Sequence, residues 1–142
     1  MKKYILSFLA ITLVLTSINA FAGVKKKKVE KTINAEAIVQ NLKVGLTSDN
    51  FGLKVSSAYV LGQLVSTNVI NPDDASETII PLMKIMNNEE TDEARIVAAL
   101  ALYYLESDRA ALMFGFAAKY DKSARFSRFS SMLYREYNKQ NK

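Results

Sequence analysis

The chain has 142 residues, a formal net charge of +5, 49% hydrophobic residues, and no Cys, His or Trp. That length suits one domain, and the missing residue types exclude disulfide frameworks, zinc fingers, thiol nucleophiles, histidine-based triads and imidazole ligands for metal or haem. Two Pro and five Gly point to regular structure and away from low-complexity disorder.

Residues 1–22 read as a secretory signal. Lys2 and Lys3 open it, and an apolar run from Ile5 to Ile18 follows, broken only by Ser7, Thr12, Thr16 and Ser17. Ala20-Phe21-Ala22 then supplies a small-x-small site, so cleavage is expected after Ala22 and the product is expected to be exported, periplasmic or secreted. No Cys follows the run, which excludes a lipoprotein anchor. The competing reading is an uncleaved anchor, because Tyr4 to Ala22 covers 19 residues, within the range that spans a bilayer at ~1.5 Å per residue.

Residues 23–33 form a basic linker containing Lys25, Lys26, Lys27 and Lys28. Positive charge resists translocation, which complicates the anchor topology. The run reads as a solvated tail or, in a membrane-peripheral alternative, as an attraction to anionic surfaces. Without the signal and this run the chain holds 13 basic and 14 acidic residues. The high isoelectric point is therefore no argument for nucleic acid, and none is expected as a partner.

From Ala35 onward the apolar spacing is helical. The pattern predicts helices over Ala35–Leu46, Phe51–Val65, Ala75–Met86, Asp92–Leu105, Arg109–Tyr120 and Ser123–Tyr137, with caps at Asn34, Asn50, Asp74, Thr91, Asp108 and Asp121 or Lys122. Short polar links such as Thr47-Ser48-Asp49 make neighbouring helices antiparallel. A shift of 41 residues superposes Glu36 on Glu77, Ile38 on Ile79 and Lys43 on Lys84. The same shift superposes Lys54 on Arg95, Ala58 on Ala99 and Leu61 on Leu102. One offset thus carries both helices of a pair. A weaker third copy at a shift of 30 sets Ala94-Arg95-Ile96 on Ala124-Arg125-Phe126 and Leu102 on Met132.

At these residues the chain resembles the HEAT-like repeat family. Ile80-Pro81-Leu82-Met83 is similar to its first-helix pattern. Residues 53–64 and 94–105 are similar to its second-helix pattern of paired small residues followed by A-L-G-x-L, with Tyr103 in place of the glycine. The resemblance covers roughly residues 34–137 and is carried most firmly by the first two copies. It implies an all-α fold, a short right-handed α-solenoid of about three antiparallel hairpins over residues 34–140, whose divergent last repeat acts as a cap. Ser57-Ala58 and Ala98-Ala99 should let helices approach closely, and Pro81 should bend the helix it interrupts. In the family the basic position held here by Lys54 and Arg95 ladders with an acidic residue about six earlier; Glu89 fits for Arg95, and Ser48 does not fit for Lys54.

The resemblance also implies a binding scaffold whose inner surface is lined by the second helices. The candidate partner-binding residues are Val55, Tyr59 and Gln63, then Ile96, Leu100 and Tyr104, then Phe126, Ser130 and Tyr134; spacing of four keeps each trio on one helix face. An apolar surface with tyrosines suits protein contacts, although the same stripe could instead pack against other helices. The basic-aromatic stretch with Arg125, Arg128 and Arg135 is read as helix packing with a solvated face. The carboxylate pairs Asp73/Asp74, Glu89/Glu90 and Asp92/Glu93 sit in turns or at helix starts, where they favour the helix dipole. Phosphate-binding loop, calcium-loop and serine-elbow motifs are missing from the sequence. A monomeric, non-enzymatic protein without cofactor or catalytic residues is expected, with an unknown protein partner in the cell envelope.

Overall fold

A computed structural model describes residues 34–140, so the expected signal, the expected linker and Lys25 to Lys28 lie outside the described residues. The described chain is all-α: α1 Ala35–Leu46, α2 Phe51–Ser66, a 3₁₀ segment Asp73–Thr78, α3 Ile79–Asn88, α4 Asp92–Tyr104, α5 Asp108–Tyr120 and α6 Ala124–Gln140.

Five of the helices start on a side-chain oxygen that accepts a hydrogen bond from a free first-turn N–H. Asn34 accepts from Ala37, Asn50 from Leu53, Thr91 from Ala94, Ser107 from Ala110 and Ser123 from Phe126. The last two replace the expected caps Asp108 and Asp121 or Lys122: in each case the neighbouring serine makes the bond. Asp108 is instead the first residue of α5.

The expected helix Ala75–Met86 is split, and Asp74 caps nothing; it lies in the 3₁₀ segment. Pro81 explains the division. It has no N–H to offer the carbonyl four residues back, so the α-helix begins at Ile79 and holds Pro81 in its first turn, where N–H groups lack intrahelical partners in any case. The tighter turns upstream make their own bonds. Pro81 therefore opens a helix and does not break one.

Consecutive helices pack in pairs, α1 with α2, α3 with α4, and α5 with α6. The α5–α6 pair is antiparallel: Ser127 Oγ donates to the Ala118 carbonyl, and Tyr137 Oη donates to Asp108 Oδ1 at the opposite end. The second helices also lie against one another, α4 against both α2 and α6. Since α4 touches helices on several sides, its buried positions are mostly small: Ala94, Ala98, Ala99 and Ala101, with Leu102 the large exception. Leu61, Leu82, Phe114 and Phe126 complete the centre of the core, each contributing about 1.5–3 kcal/mol by burial.

Burial recurs from pair to pair. Leu82, Ile85, Ala94 and Ala101 of the second pair are buried, as are Phe114, Phe126 and Leu133 of the third. The matching positions of the first pair, Val44, Leu53 and Val60, are exposed. The preceding pair covers this face in the second and third copies, and among the described residues nothing precedes the first. At the other end the last pair also leaves large apolar side chains in solvent, Leu112, Phe116 and Tyr120 among them. A polar capping face, expected for a terminal repeat, is not what these residues form.

Candidate functional site

The surface shared by α2 and α4 starts from small residues. A Cβ on Gly62 would lie 3.3 Å from the Ala101 Cα, a tight contact that a larger residue would strain, so the two helices meet closely here. Their close approach makes a groove with Ala58, Gly62 and Ala101 as its floor. Tyr59 and Gln63 of α2 form one wall; Val97, Leu100 and Tyr104 of α4 form the other. The enclosed part is small, about 30 Å³, enough for a side-chain tip.

Four of the nine candidate residues, Tyr59, Gln63, Leu100 and Tyr104, therefore converge on one feature. Tyr59 is 57% exposed, and the Tyr104 ring is held edge-on to Tyr103 with centroids 5.7 Å apart. Val55, Ile96 and Leu100 are half-buried, Ile96 and Leu100 against the core. Val97 was not among the candidates; it lies one position off the i, i+4 stripe and was invisible to a search confined to that spacing.

The third trio does not join them. Phe126 and Ser130 are fully buried, and Tyr134 lines a different groove, with Gly115 and Phe116. The cause is register. The third copy follows the second at 32 residues and not at 30: Thr91 and Ser123 cap, Glu89 and Asp121 end the preceding helix, and Arg95 Nε and Ser127 Oγ each donate to the carbonyl nine residues back, Met86 and Ala118. At 32, the buried residues Ala94, Ala98, Ala101 and Leu105 correspond to Phe126, Ser130, Leu133 and Tyr137, all buried. Ile96, Leu100 and Tyr104 then correspond to Arg128, Met132 and Glu136, so the surface turns polar in its last third.

Ser130 Oγ is buried with no hydrogen-bond partner among the described residues. Replacing it with alanine, the residue at the matching position 98, removes an unsatisfied hydroxyl without opening space. Stability in urea is expected to be unchanged or to rise by up to ~1 kcal/mol.

Several acidic and basic residues join one pair of helices to the next. Lys54 Nζ lies 2.6 Å from Glu89 Oε1, and the Arg95 guanidinium grips the Asp121 carboxylate with two donors. A charge ladder is thus present, and its direction differs from the expected one: each cation reaches forward to the acidic end-cap of the next pair, and none reaches an acid six residues back. Glu89 serves Lys54, which removes the apparent gap at Ser48. Arg95 also donates to the Met86 carbonyl and stacks over the Phe126 ring at 3.9 Å. This salt bridge and its hydrogen bonds hold the Asp121 carboxyl below its ordinary value against the opposing effect of burial. Asp92 accepts from Ser123 Oγ, and Glu93 pairs with Arg125. Among the described residues no three His, Cys, Asp or Glu gather in a way that could hold a metal ion.

The chain matches no family profile, no curated protein and no solved structure. Its own geometry therefore carries the functional argument.

Proposed function

We propose that this chain is an exported, non-enzymatic scaffold, a short HEAT-like α-solenoid of three hairpins that holds an envelope protein against α2 and α4. The observation that carries the reading is the open groove walled by Tyr59, Gln63, Leu100 and Tyr104 over a floor of Ala58, Gly62 and Ala101. Partly exposed tyrosines beside an apolar slot are the composition of protein-binding hot spots, where a large side chain is desolvated by a tight pocket. The repeating burial, the forward charge ladder and the small-residue seam between second helices support the solenoid arrangement, in which each repeat contacts only its neighbours.

A photo-crosslinking residue placed at Tyr59 or Gln63 in the exporting cell is expected to capture one discrete partner. The same residue at Lys84, exposed on α3, is expected to capture none of it. Adding Tyr104→Ala should reduce the Gln63 product by ~10-fold or more, as loss of a hot-spot aromatic does. Equal products from all three positions, or a product indifferent to Tyr104→Ala, would exclude this face.

A further inference from the structure

The last helical pair differs in charge from everything before it. Residues 34–107 carry ten acidic and four basic side chains, whereas residues 108–140 carry three acidic and seven basic ones. The three acids are occupied: Asp108 accepts from the Tyr137 hydroxyl, Asp121 pairs with Arg95 and Glu136 with Lys139. Arg109, Lys119, Lys122, Arg128 and Arg135 meet no carboxylate among the described residues.

That cationic region surrounds an uncovered apolar stripe. Leu112, Phe116 and Tyr120 recur every four residues along α5 and are 63%, 60% and 66% exposed. Arg109 and Lys119 fall on the same helix face by the 3.6-residue period. From Arg109 to Tyr120 there is no acidic residue. The Lys119 ammonium lies 5.0 Å from the centre of the Tyr120 ring, which itself stacks with Phe116. Tyr134 of α6 flanks the stripe across Gly115, leaving an open depression of about 280 Å³. The opposite face of α5, with Ala110, Ala111 and Phe114, already fastens the helix to the core, so the stripe is not needed for folding.

We propose that this face of α5 and α6 docks on an anionic phospholipid surface. A helix lying in the interface needs a lengthwise apolar stripe, aromatic side chains whose hydroxyls stay at headgroup level, and long cations whose stems follow the apolar surface while their charges reach phosphate. All three are present here, and the one carboxylate beside Arg109, that of Asp108, is bonded to the Tyr137 hydroxyl. No helix among the described residues is long and apolar enough to cross a membrane, so the contact is peripheral. It is separate from the groove between α2 and α4, and it orients that groove relative to the lipid.

The chain contains no Trp, so Phe116→Trp introduces a single reporter. Vesicles of phosphatidylglycerol in phosphatidylcholine, added to the protein as the cell produces it, should shift that emission to the blue and shield it from iodide. Val44→Trp, exposed at the opposite end of the described chain, should show neither effect. Arg109→Gln with Lys119→Gln should lower the partitioning that the Phe116→Trp shift reports by ~10-fold or more, and replacing Lys25 to Lys28 with Gln should leave the shift in place. Because the reporter senses immersion of this face, the test holds whether or not residues 1–22 are retained. A Phe116→Trp probe that stays in water on vesicle-bound protein would overturn the proposal. So would the absence of binding, an equal shift on pure phosphatidylcholine, or a shift produced by polyglutamate and not by vesicles, which would assign the face to an acidic polypeptide.

Discussion

Arg95→Ala is expected to destabilise the protein by about 3 kcal/mol, the order observed when one partner of a largely buried ion pair is removed. In a domain of this size that corresponds to ~10–15 °C in Tm. The side chain is only 14% exposed, as is that of Asp121, and it serves four neighbours at once, one of them Asp92 at 3.6 Å. It donates twice to Asp121, once to the Met86 carbonyl, and covers the Phe126 ring. Truncation leaves a carboxylate without its cation and the Met86 carbonyl without this donor at the joint between α3, α4 and α5. Arg95→Lys should recover less than half of the loss, because an ammonium cannot reproduce the planar fork that meets the carboxylate and the carbonyl together. Lys54→Ala, which removes a single, more exposed contact with Glu89, should cost about 1 kcal/mol.

The same pair predicts a pH signature. Hydrogen bonding to Arg95 depresses the Asp121 pKa in the folded state below its ordinary value of 3.8. A depressed carboxylate stabilises the fold fully above the unfolded value and loses that contribution as pH falls through 3.8 toward the folded value. Unfolding midpoints measured in urea between neutral pH and pH 3 should therefore fall for the parent protein. The drop should be shallower in Arg95→Ala, where Asp121 has lost the group that depresses it. Parallel pH profiles would mean that Arg95 acts through the Met86 carbonyl and the Phe126 ring and not through Asp121.

Much of the helical layout was legible because caps and period are local properties. Asn34, Asn50 and Thr91 each precede an apolar 3.6-residue pattern, and the chain needs no distant information to start a helix there. The third copy shows the limit. Ala124-Arg125-Phe126 looks like Ala94-Arg95-Ile96, and matching these letters gives a shift of 30. The physical register is set by the turn, where Asp121 accepts from Ser123 N–H and Ser123 caps α6, and that turn sits 32 residues after its counterpart. Two residues rotate a helix by about 200°, enough to exchange its buried and solvent faces. Phe126 and Ser130 moved inward for that reason. Exposure also depends on which pair of helices lies next to a face. Val44 and Ile85 occupy matching positions with apolar side chains, and among the described residues only the second has a preceding pair to cover it.

Phe126→Ala separates the two registers by experiment. If the shift of 30 governed α6, Phe126 would line the partner surface and its truncation would weaken binding while the fold stayed intact. With the side chain fully buried beneath the Arg95 guanidinium, the expected outcome is a loss of about 3–5 kcal/mol, from the transfer free energy of the ring and the cavity it leaves. Tyr59→Ala provides the opposite case. Its side chain is 57% exposed, so stability should change by less than ~1 kcal/mol while capture of the partner falls. Because Arg95 and Phe126 share one contact, the double variant Arg95→Ala with Phe126→Ala should cost less than the two single losses combined. The shortfall would measure the cation–π contact and the packing they share. Fully additive losses would show that the guanidinium holds the joint through Asp121 and Met86 and gains nothing from the ring below it.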